Sequence, residues 1–405
     1  MPTLLTINNY HYRRGGADVA YLAEGELFKE HGWNVACFSM QHSQNIPSPW
    51  SSYFVQEIEY GRSYGASQLL LNAAKSIYSW EAASKIKALM TRVRPDVAHA
   101  HNVYHHLSPS ILRSIRQQGV PLILTLHDVK LLCPARTMYS GGEICEACKG
   151  GNLHKVILKK CMKGSLPLSA LIYTESVAHR LFSLYETNVD KFVSPSRFVI
   201  KKFVEWGWPT NRFVHIPNFV DSTQYCPEYS AGRAFLYFGR LSAEKGLATL
   251  ISATRLAGVQ LWVVGTGPEE SSMQALARDV GADVTFFGFK VGDELWNIVK
   301  QARAVVLPSE WYENAPISIL EAYALGKPVI GARVGGIPEM VREGETGCLY
   351  ESGDVQGLAD VLVRVAALAD RTVEDWGREA RKWVTDEYSP TQHYERLRDL
   401  YARFF

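Results

Sequence analysis

The sequence predicts an α/β protein built on parallel sheets, and three observations support this. Short apolar runs alternate with helical patterns along the chain, as in successive βαβ units. The stretch 304–350 shows one unit clearly, with an apolar run at 304–307, a loop and helix, and a second apolar run at 328–332. A crossover helix of this kind makes its two strands parallel. The chain of 405 residues is also long enough for two domains.

The composition indicates a soluble globular protein, with 47% hydrophobic and 21% charged residues. A net charge of +2 gives no reason to expect a nucleic-acid partner. No apolar run is long enough to span a bilayer, and residues 1–16 lack the order of a signal peptide. We therefore expect a cytoplasmic protein, in which seven cysteines do not form a disulfide scaffold.

The first half of the chain contains six predicted strands, at 3–7, 34–39, 96–101, 121–126, 191–193 and 212–216. The main predicted helices between them are at 17–31, 68–93, 107–118 and 166–186. After the first strand, Gly15-Gly16 precedes a helix start. This arrangement suits a phosphate, although Gly-Gly alone fits a plain tight turn equally well. The irregular segment 41–65 is long for a loop, and we interpret it as part of acceptor recognition.

The second half repeats the alternation after a linker at 221–232. Its predicted strands are at 234–238, 260–264, 283–287, 304–307 and 328–332, and helices are predicted at 355–368, 372–388 and 393–405. Cations, glycines and carboxylates follow these strands: Arg240, Lys245, Gly265, Gly267, Glu313 and Gly335-Gly336. Open parallel sheets bind ligands at the carboxyl ends of their strands. An isolated glutamate or lysine is usually a solvated surface charge, but the shared position of this set favours a binding site.

A helix start after the strand at 304–307 adds to this predicted site. We expect Glu313 in the loop above the helix and Glu321 inside the helix, eight residues later. Pro316 suits the first helical turn, where its missing N–H costs nothing. The free N–H groups around 314–317 would then point out of the sheet edge and suit a phosphate.

These residues resemble the donor-binding signature of the family-four retaining glycosyltransferases. The signature has a glutamate, seven residues, a second glutamate, a helix of small residues and a Gly-Gly turn, here Glu313, Glu321, 322–326 and Gly335-Gly336. Two further runs match the family's motifs, namely Gly239-Arg240-Leu241 and Lys245-Gly246. The sequence departs from the family at Asn314-Ala315-Pro316, in place of Phe-Gly, and at Phe219, in place of a glycine.

The resemblance implies the GT-B fold, in which two Rossmann-like domains face each other and the last helix crosses back to the first. It implies an acceptor-side domain at 1–217, completed by 388–405, and a donor-binding domain at 218–387. The donor would be a UDP-, GDP- or ADP-sugar, and the acceptor a glycan or lipid-linked sugar in surface polysaccharide or glycolipid biosynthesis. The motifs cover nearly all of the second domain, but only Gly15-Gly16 and His127 in the first.

The resemblance also assigns roles to individual residues. The implied catalytic residues are His127, Arg240, Lys245 and Glu313. The implied donor-binding residues are Gly15, Gly16, Arg240, Lys245, Gly265, Gly267, Phe289, Lys290, Asn314, Ala315, Pro316, Ile317 and Glu321. The two cations would neutralise the diphosphate, Glu313 would hold the donor sugar, and Glu321 the ribose. The sequence has no Asp-x-Asp motif, so we expect no catalytic metal.

Four cysteines form a candidate structural zinc site in an insertion at about 130–165. Cys145 and Cys148 have the C-x-x-C spacing that lets two thiolates hold one ion, with Cys133 and Cys161 as outer ligands. Four free thiols, some buried as small hydrophobes, are an equal alternative, and iron–sulfur ligation is a third. We expect a bound ion to hold the insertion together and to take no part in the chemistry.

Two more features have alternative interpretations. The segment 154–163 mixes apolar residues with four lysines, which suits peripheral contact with the inner face of a membrane, although a solvated helix face is favoured. His99, His101, His105 and His106 gather near one strand end, and we favour loop filler over acceptor-site residues. For the whole protein, the alternatives are a sugar phosphorylase, a nucleotide-sugar epimerase and a non-catalytic nucleotide-sugar binding module.

Overall fold

The structure is a computed structural model that describes residues 1–57 and 75–404. Two six-stranded sheets form its framework. In chain order the strands are β1 (Thr3–Ile7), β2 (Asn34–Phe38), β3 (Val97–Ala100), β4 (Leu122–Thr125), β5 (Tyr139–Ser140), β6 (Glu143–Ile144), β7 (Lys191–Ser194), β8 (Phe213–His215), β9 (Phe235–Phe238), β10 (Leu261–Val264), β11 (Val284–Phe286), β12 (Ala304–Leu307), β13 (Val329–Ala332) and β14 (Gly347–Tyr350).

Helices connect most of these strands. In chain order the α-helices of the described residues are α1 (Gly16–Glu30), α2 (Trp80–Val93), α3 (Ser110–Gln117), α4 (Lys155–Leu158), α5 (Leu166–Leu181), α6 (Arg197–Glu205), α7 (Leu247–Ala257), α8 (Glu270–Val280), α9 (Gly292–Gln301), α10 (Ile317–Ala324), α11 (Val355–Ala367), α12 (Asp370–Glu387) and α13 (Pro390–Tyr401).

The sheets have the order β2-β1-β3-β4-β7-β8 and β11-β10-β9-β12-β13-β14, and every pairing in both is parallel. We call the first sheet with its helices the first lobe, and the second sheet with its helices the second lobe. Strands β3, β4, β12, β13 and β14 are buried along their whole length, which explains their mostly apolar sequence. The predicted α/β fold of two parallel sheets is therefore confirmed.

The last helix returns the chain to the first lobe. Leu397, Leu400 and Tyr401 of α13 belong to one buried cluster with Leu4 of β1 and Phe28 of α1. The apolar face of α13 is thus buried against the first lobe, although the helix follows the second lobe in the sequence. The predicted crossing back of the last helix is confirmed.

The predicted elements differ from the structure in several places. The start of the predicted helix at 68–93 lies outside the described part of the chain. The end of the predicted loop at 41–65 lies outside it as well. Helix α2 begins at Trp80 because the Ser79 side chain accepts a hydrogen bond from the N–H of Ala82. Strand β14 and the antiparallel β5–β6 hairpin were not predicted, because both are short and lack alternating patterns.

The basic segment at 154–163 forms only one helical turn, α4. Val156 is buried, whereas Leu158 is 68% exposed. Within residues 1–57 and 75–404, no helix combines the length and the apolar character needed to cross a bilayer.

Candidate functional site

A cleft of about 500 Å³ opens between the two lobes, next to the carboxyl ends of β4, β9 and β12. The predicted site residues that line it are Gly16, His127, Arg240, Lys245, Glu313, Asn314, Ala315, Pro316, Ile317 and Glu321. The first two belong to the first lobe and the others to the second. The structure therefore brings residues from distant parts of the sequence to one place.

Glu313 and Lys245 form an ion pair at the centre of the cleft. Lys245 Nζ lies 2.7 Å from Glu313 Oε1, and the hydroxyl of Ser309 donates to the same oxygen at 2.7 Å. Burial raises the pKa of Glu313, but the Lys245 ammonium and hydrogen bonds from neighbouring side chains outweigh it, so the net pKa is lowered. Glu313 is therefore a carboxylate near pH 7, and it holds the lysine in the cleft.

Two other charged residues of the second lobe differ from this pair. Arg240 is exposed on the cleft wall, and no carboxylate of the described residues pairs with it. Glu321 lies inside α10, where burial raises its pKa to about 7 and no cation offsets the effect. Arg240 and Glu321 thus line the cleft without a charged partner among the described residues, and both can take a polar ligand.

The amino end of α10 lies on the cleft, and hydrogen bonds tie it to neighbouring segments. Pro316 is the N-cap of this helix, one residue before the predicted N1 position. Asn314 Nδ2 donates to the carbonyl of Leu126 at 2.7 Å, and Asn314 Oδ1 accepts from Ser196 at 2.8 Å. Because Leu126 and Ser196 belong to the first lobe, Asn314 connects the two lobes. The sequence indicated none of these contacts.

The glycines after the strands serve close packing of backbone against backbone. A Cβ on Gly335, which has φ +61°, would lie 2.2 Å from the carbonyl oxygen of Glu313. A Cβ on Gly265 or Gly267 would meet the carbonyl oxygens of Gly239 and Leu241 at 1.9 and 2.1 Å. These glycines therefore fix the loops that carry Glu313 and Arg240.

Several predicted residues lie outside the lining of the cleft. Gly265 and Gly267 pack behind it, and Gly15 is the N-cap of α1. Phe289 is 68% exposed, and Lys290 forms an ion pair with Glu294 at 3.1 Å. Their donor-binding roles stay predictions.

His127 on the opposite wall belongs to a buried network of histidines around Glu24. His127 Nε2 and His101 Nδ1 are 2.9 Å apart, and His101 Nε2 lies 3.6 Å from a Glu24 oxygen. His99 Nδ1 is 2.6 Å and His393 Nε2 3.5 Å from the same carboxylate. His99 and His101 are thus buried network residues, so the interpretation of them as loop filler is wrong.

Burial sets the protonation state of this network. It lowers the pKa of His127 well below the usual value, and His101 lowers it further, so the ring is neutral near pH 7. Burial opposes the ionisation of Glu24, but His99 and His101 outweigh it and hold the Glu24 pKa well below its usual range. One carboxylate therefore orients the histidines that lead to the cleft.

Sequence reasoning missed several residues of the cleft, namely Asp128, Arg136, Asn218, Ser309, Trp311 and Tyr312. Arg136 contributes a cation from the insertion, and no motif surrounds it in the sequence. The ring of Trp311 lies 5.0 Å from Lys245 Nζ, where a cation is attracted to its face. For Asp128, Trp311 and Tyr312, the available signals were the nearby predicted residues His127 and Glu313.

Cys133, Cys145, Cys148 and Cys161 gather in the insertion, away from the cleft, and line one small cavity. No three of their sulfur atoms lie within 4.8 Å of one another; of the described residues, Glu24, His99 and His101 are the group that meets this distance. The structure therefore groups the four cysteines without showing a closed metal site.

Comparisons with known proteins agree with the fold. Lipopolysaccharide core biosynthesis glycosyltransferase LpsE of Rhizobium meliloti is 34% identical over 161 residues, 37% of this chain and 46% of that protein. The GDP-mannose-dependent alpha-(1-6)-phosphatidylinositol monomannoside mannosyltransferase of Mycobacterium tuberculosis is 32% identical over 228 residues, 50% of this chain and 58% of that protein. The matched regions thus span about half the length of these relatives.

Solved structures match along the whole chain. Sucrose-phosphate synthase from Thermosynechococcus elongatus has a TM-score of 0.74 at 20% identity, covering 100% of this chain and 99% of that one. HepE from Anabaena, solved in complex with UDP and glucose, has a TM-score of 0.68 at 17% identity, covering 100% of both chains. At this level of identity the likeness concerns the fold, which is GT-B.

Two family models match adjoining parts of the sequence. The model described as "Glycosyl transferases group 1" matches residues 227–383, which contain most of the second lobe. The model described as "Glycosyltransferase Family 4" matches residues 14–224, about half of the chain. With this match and the GT-B fold, the chain belongs to glycosyltransferase family 4.

Proposed function

We propose that this protein transfers a sugar from a nucleotide-sugar donor to an acceptor hydroxyl, with retention at the anomeric carbon. The observation that carries the proposal is the meeting of Arg240, Lys245, Glu313 and the amino end of α10 in one cleft opposite His127. Cations and helix N–H groups at one point suit a diphosphate. HepE, which shares the fold, was solved with UDP and glucose, which supports a nucleotide-sugar as the ligand class.

In the proposed reaction the departing diphosphate carries the developing negative charge. Arg240, Lys245 and the N–H groups of α10 would neutralise that charge, so catalysis is electrostatic and positional. Glu313 would bind hydroxyls of the donor sugar, and Glu321 those of the ribose. We propose that the acceptor attacks on the face that the leaving group vacates, and that the leaving phosphate takes the acceptor proton.

The ion pair between Lys245 and Glu313 gives the proposal a further detail. In the structure, Lys245 already has a carboxylate partner at 2.7 Å. A bound diphosphate would therefore share the ammonium with Glu313, whereas exposed Arg240 is available to it directly. Lys245 would in turn keep Glu313 ionised, so that it accepts hydrogen bonds from the sugar.

Thermal unfolding with UDP, GDP, ADP and their sugars tests the donor class. A ligand that binds only the folded state raises the melting temperature by mass action. We expect one nucleotide series to raise it and the others to have little effect. The absence of any shift at millimolar nucleotide would contradict the proposal.

Product analysis then separates sugar transfer from the alternatives. Transfer to an acceptor, or slow hydrolysis of the donor, supports a transferase. A sugar phosphate formed with inorganic phosphate would identify a phosphorylase, and an altered free nucleotide-sugar an epimerase. Binding without any turnover would identify a binding module.

Full activity in excess chelator is expected, because the proposed charges come from side chains and helix N–H groups.

We further propose an acceptor in polysaccharide or glycolipid biosynthesis, as the names of the R. meliloti and M. tuberculosis relatives suggest for those proteins. A lipid-linked acceptor would make peripheral contact at the inner face of a membrane useful. Lys155, Lys159, Lys160 and Lys163 are exposed near the exposed side chain of Leu158. Co-sedimentation with anionic vesicles tests this, and protein that stays in the supernatant would contradict it.

A further inference from the structure

Residues 139–165, in the insertion that follows β4, bury very little apolar surface of their own. Between residues 139 and 165, the buried hydrophobic side chains are those of Cys148, Leu153 and Val156. Its regular structure there is a hairpin with two residues in each strand, a single 3₁₀ turn and the four-residue helix α4. A segment with so small a core needs a cross-link or a bound ion to keep one conformation.

Three cysteines of this segment meet a fourth, Cys133, that lies just before it. Cys133, Cys145, Cys148 and Cys161 line a cavity of about 10 Å³, which is close to the space that one water molecule occupies. All four are free thiols in the structure. Four thiolates are a common ligand set of structural zinc, and the β5–β6 hairpin leads directly into the Cys145–Cys148 turn, as in a zinc knuckle.

The thiols still have to move to close such a site. Zinc–sulfur bonds of about 2.3 Å bring tetrahedral ligands to about 4 Å from one another, whereas no three of these sulfur atoms lie within 4.8 Å. Cys161 Sγ lies 3.9 Å from the hydroxyl of Ser140. Because Cys145 and Cys161 are only partly buried, their side chains have room to turn toward the cavity.

The turn between the two central cysteines contacts the other lobe. The Tyr312 hydroxyl donates to Glu146 Oε1 at 2.8 Å, and Lys202 Nζ of α6 donates to the same oxygen at 2.8 Å. The ring of Tyr312 packs against Phe198 with centroids 4.8 Å apart. Tyr312 immediately precedes Glu313 in the 309–314 loop, so Glu146 connects the insertion to the loop that carries the central carboxylate of the cleft.

We propose that the four cysteines bind one zinc ion, and that this ion fixes the Cys145–Cys148 turn so that Glu146 holds the 309–314 loop through Tyr312. The ion takes no part in the chemistry of the cleft. The metal site stands independently of the proposed function. The connection from Glu146 to the 309–314 loop rests on the proposed function only because that loop carries Glu313.

Metal analysis tests the first part. Protein purified with reductant is expected to contain one zinc ion per chain, and the double variant Cys145→Ser, Cys148→Ser to contain none. The matched control is Cys226→Ser, since Cys226 is an exposed cysteine outside the group. Zinc that persists in the double variant, iron in place of zinc, or a disulfide among the four thiols would overturn the assignment.

A second measurement covers the case in which the double variant fails to fold. A mercurial reagent that modifies the thiols of the wild-type protein should release one equivalent of zinc to a chromophoric chelator. Modification without release of zinc would also overturn the assignment.

Hydrogen exchange measured by mass spectrometry tests the connection to the cleft without donor or acceptor. Glu146→Gln is expected to keep its zinc and to speed amide exchange in 309–314 by about tenfold, because Tyr312 then donates to a neutral amide in place of a charged carboxylate. Tyr312→Phe should do the same. The matched control is Glu205→Gln. Glu205 Oε2 lies 3.0 Å from Lys202 Nζ and is the second carboxylate paired with that lysine, so this variant should leave exchange unchanged. Wild-type exchange in Glu146→Gln would overturn the connection.

Discussion

Histidine is concentrated in the first lobe and in the helix that completes it, whereas the second lobe builds its side of the cleft from lysine, arginine, glutamate and backbone. Of the twelve histidines, only His393 follows residue 215 in the sequence, and it contacts Glu24 of the first lobe. The second lobe instead fixes Glu313 and Arg240 with glycine-rich loops. The same type of sheet thus supports a buried histidine network on one side, and an exposed arginine with a lysine–glutamate ion pair on the other.

This difference predicts how substitutions in each lobe affect stability and the cleft. In the second lobe, Lys245 and Glu313 depend on one another, whereas the exposed side chain of Arg240 has no carboxylate partner among the described residues. In the first lobe, His127 is connected to His101, and the Glu24 carboxylate lies against both His101 and His99. Substitutions there are expected to act on stability and on the cleft together.

The largest expected effects come from the two cations of the second lobe. Lys245→Ala and Arg240→Ala should each lower the rate of transfer by about 10²–10³, since each removes a group that we propose stabilises developing charge. Lys245→Ala should also lower the free energy of unfolding by about 3–5 kcal/mol, because it leaves Glu313 buried without its partner.

Arg240→Ala should change the free energy of unfolding by no more than about 0.5 kcal/mol, since Arg240 is exposed. Denaturant unfolding and initial rates measure both quantities.

Adding Glu313→Gln to Lys245→Ala should restore much of the lost stability without restoring activity. Near-normal transfer by either single variant would exclude the assigned role.

The second effect concerns the first-lobe network. Glu24→Gln is expected to lower the free energy of unfolding by about 1.5–3 kcal/mol, because contacts to a charged group are lost at His99 and His101. Transfer should fall less than in Lys245→Ala, because Glu24 acts on the cleft only through His101 and His127. The matched control is Glu26→Gln on the same helix, which is exposed. Equal stability of the two variants would contradict the network.

The third effect is an opposite dependence of stability on pH in the two lobes. Burial lowers the pKa of His11 and of His215 to about 4, so the unfolded chain binds more protons between pH 4 and 6.5. The first lobe should therefore lose stability as the pH falls below 6.5. Burial raises the pKa of Glu321 to about 7, so the folded second lobe binds more protons between pH 4.5 and 7 and loses stability as the pH rises through that window.

Two variants separate these contributions. Glu321→Gln should stabilise the protein relative to wild type at pH 8 and much less at pH 5, whereas His215→Gln should reduce the loss of stability on acidification. Denaturant unfolding at several pH values measures both. The same stability difference at pH 5 and pH 8 for Glu321→Gln would show that its carboxyl group does not titrate in this range.

The smallest effect is expected at Phe289, which the resemblance implies is a donor-binding residue. Phe289 is 68% exposed and lies outside the lining of the cleft, so Phe289→Ala should leave the free energy of unfolding within about 0.5 kcal/mol of wild type. We expect a several-fold increase in the donor KM with little change in kcat. An unchanged KM would remove Phe289 from the donor site.

Much of the fold was predictable because its strands are short, continuous apolar runs at regular intervals. The second-lobe site was predictable in the same way, since Arg240, Lys245 and Glu313 each follow a strand. Glu321 lies in the helix that comes next. The first lobe gave less signal. His99 lies on β3 and His101 directly follows it. Their environment depends on Glu24 and on α13, a helix at the other end of the chain.

The sequence by itself determined the two parallel sheets, the crossing helix and the charged loops of the second lobe, because apolar runs, glycine turns and helix starts are local signals. Only the tertiary structure decided which of these residues meet. The ion pair of Lys245 with Glu313, the contacts of Asn314 and Glu146 with the opposite lobe, and the histidines around Glu24 join positions far apart in the chain. Such contacts depend on how the two lobes are packed together, and no local pattern specifies that arrangement.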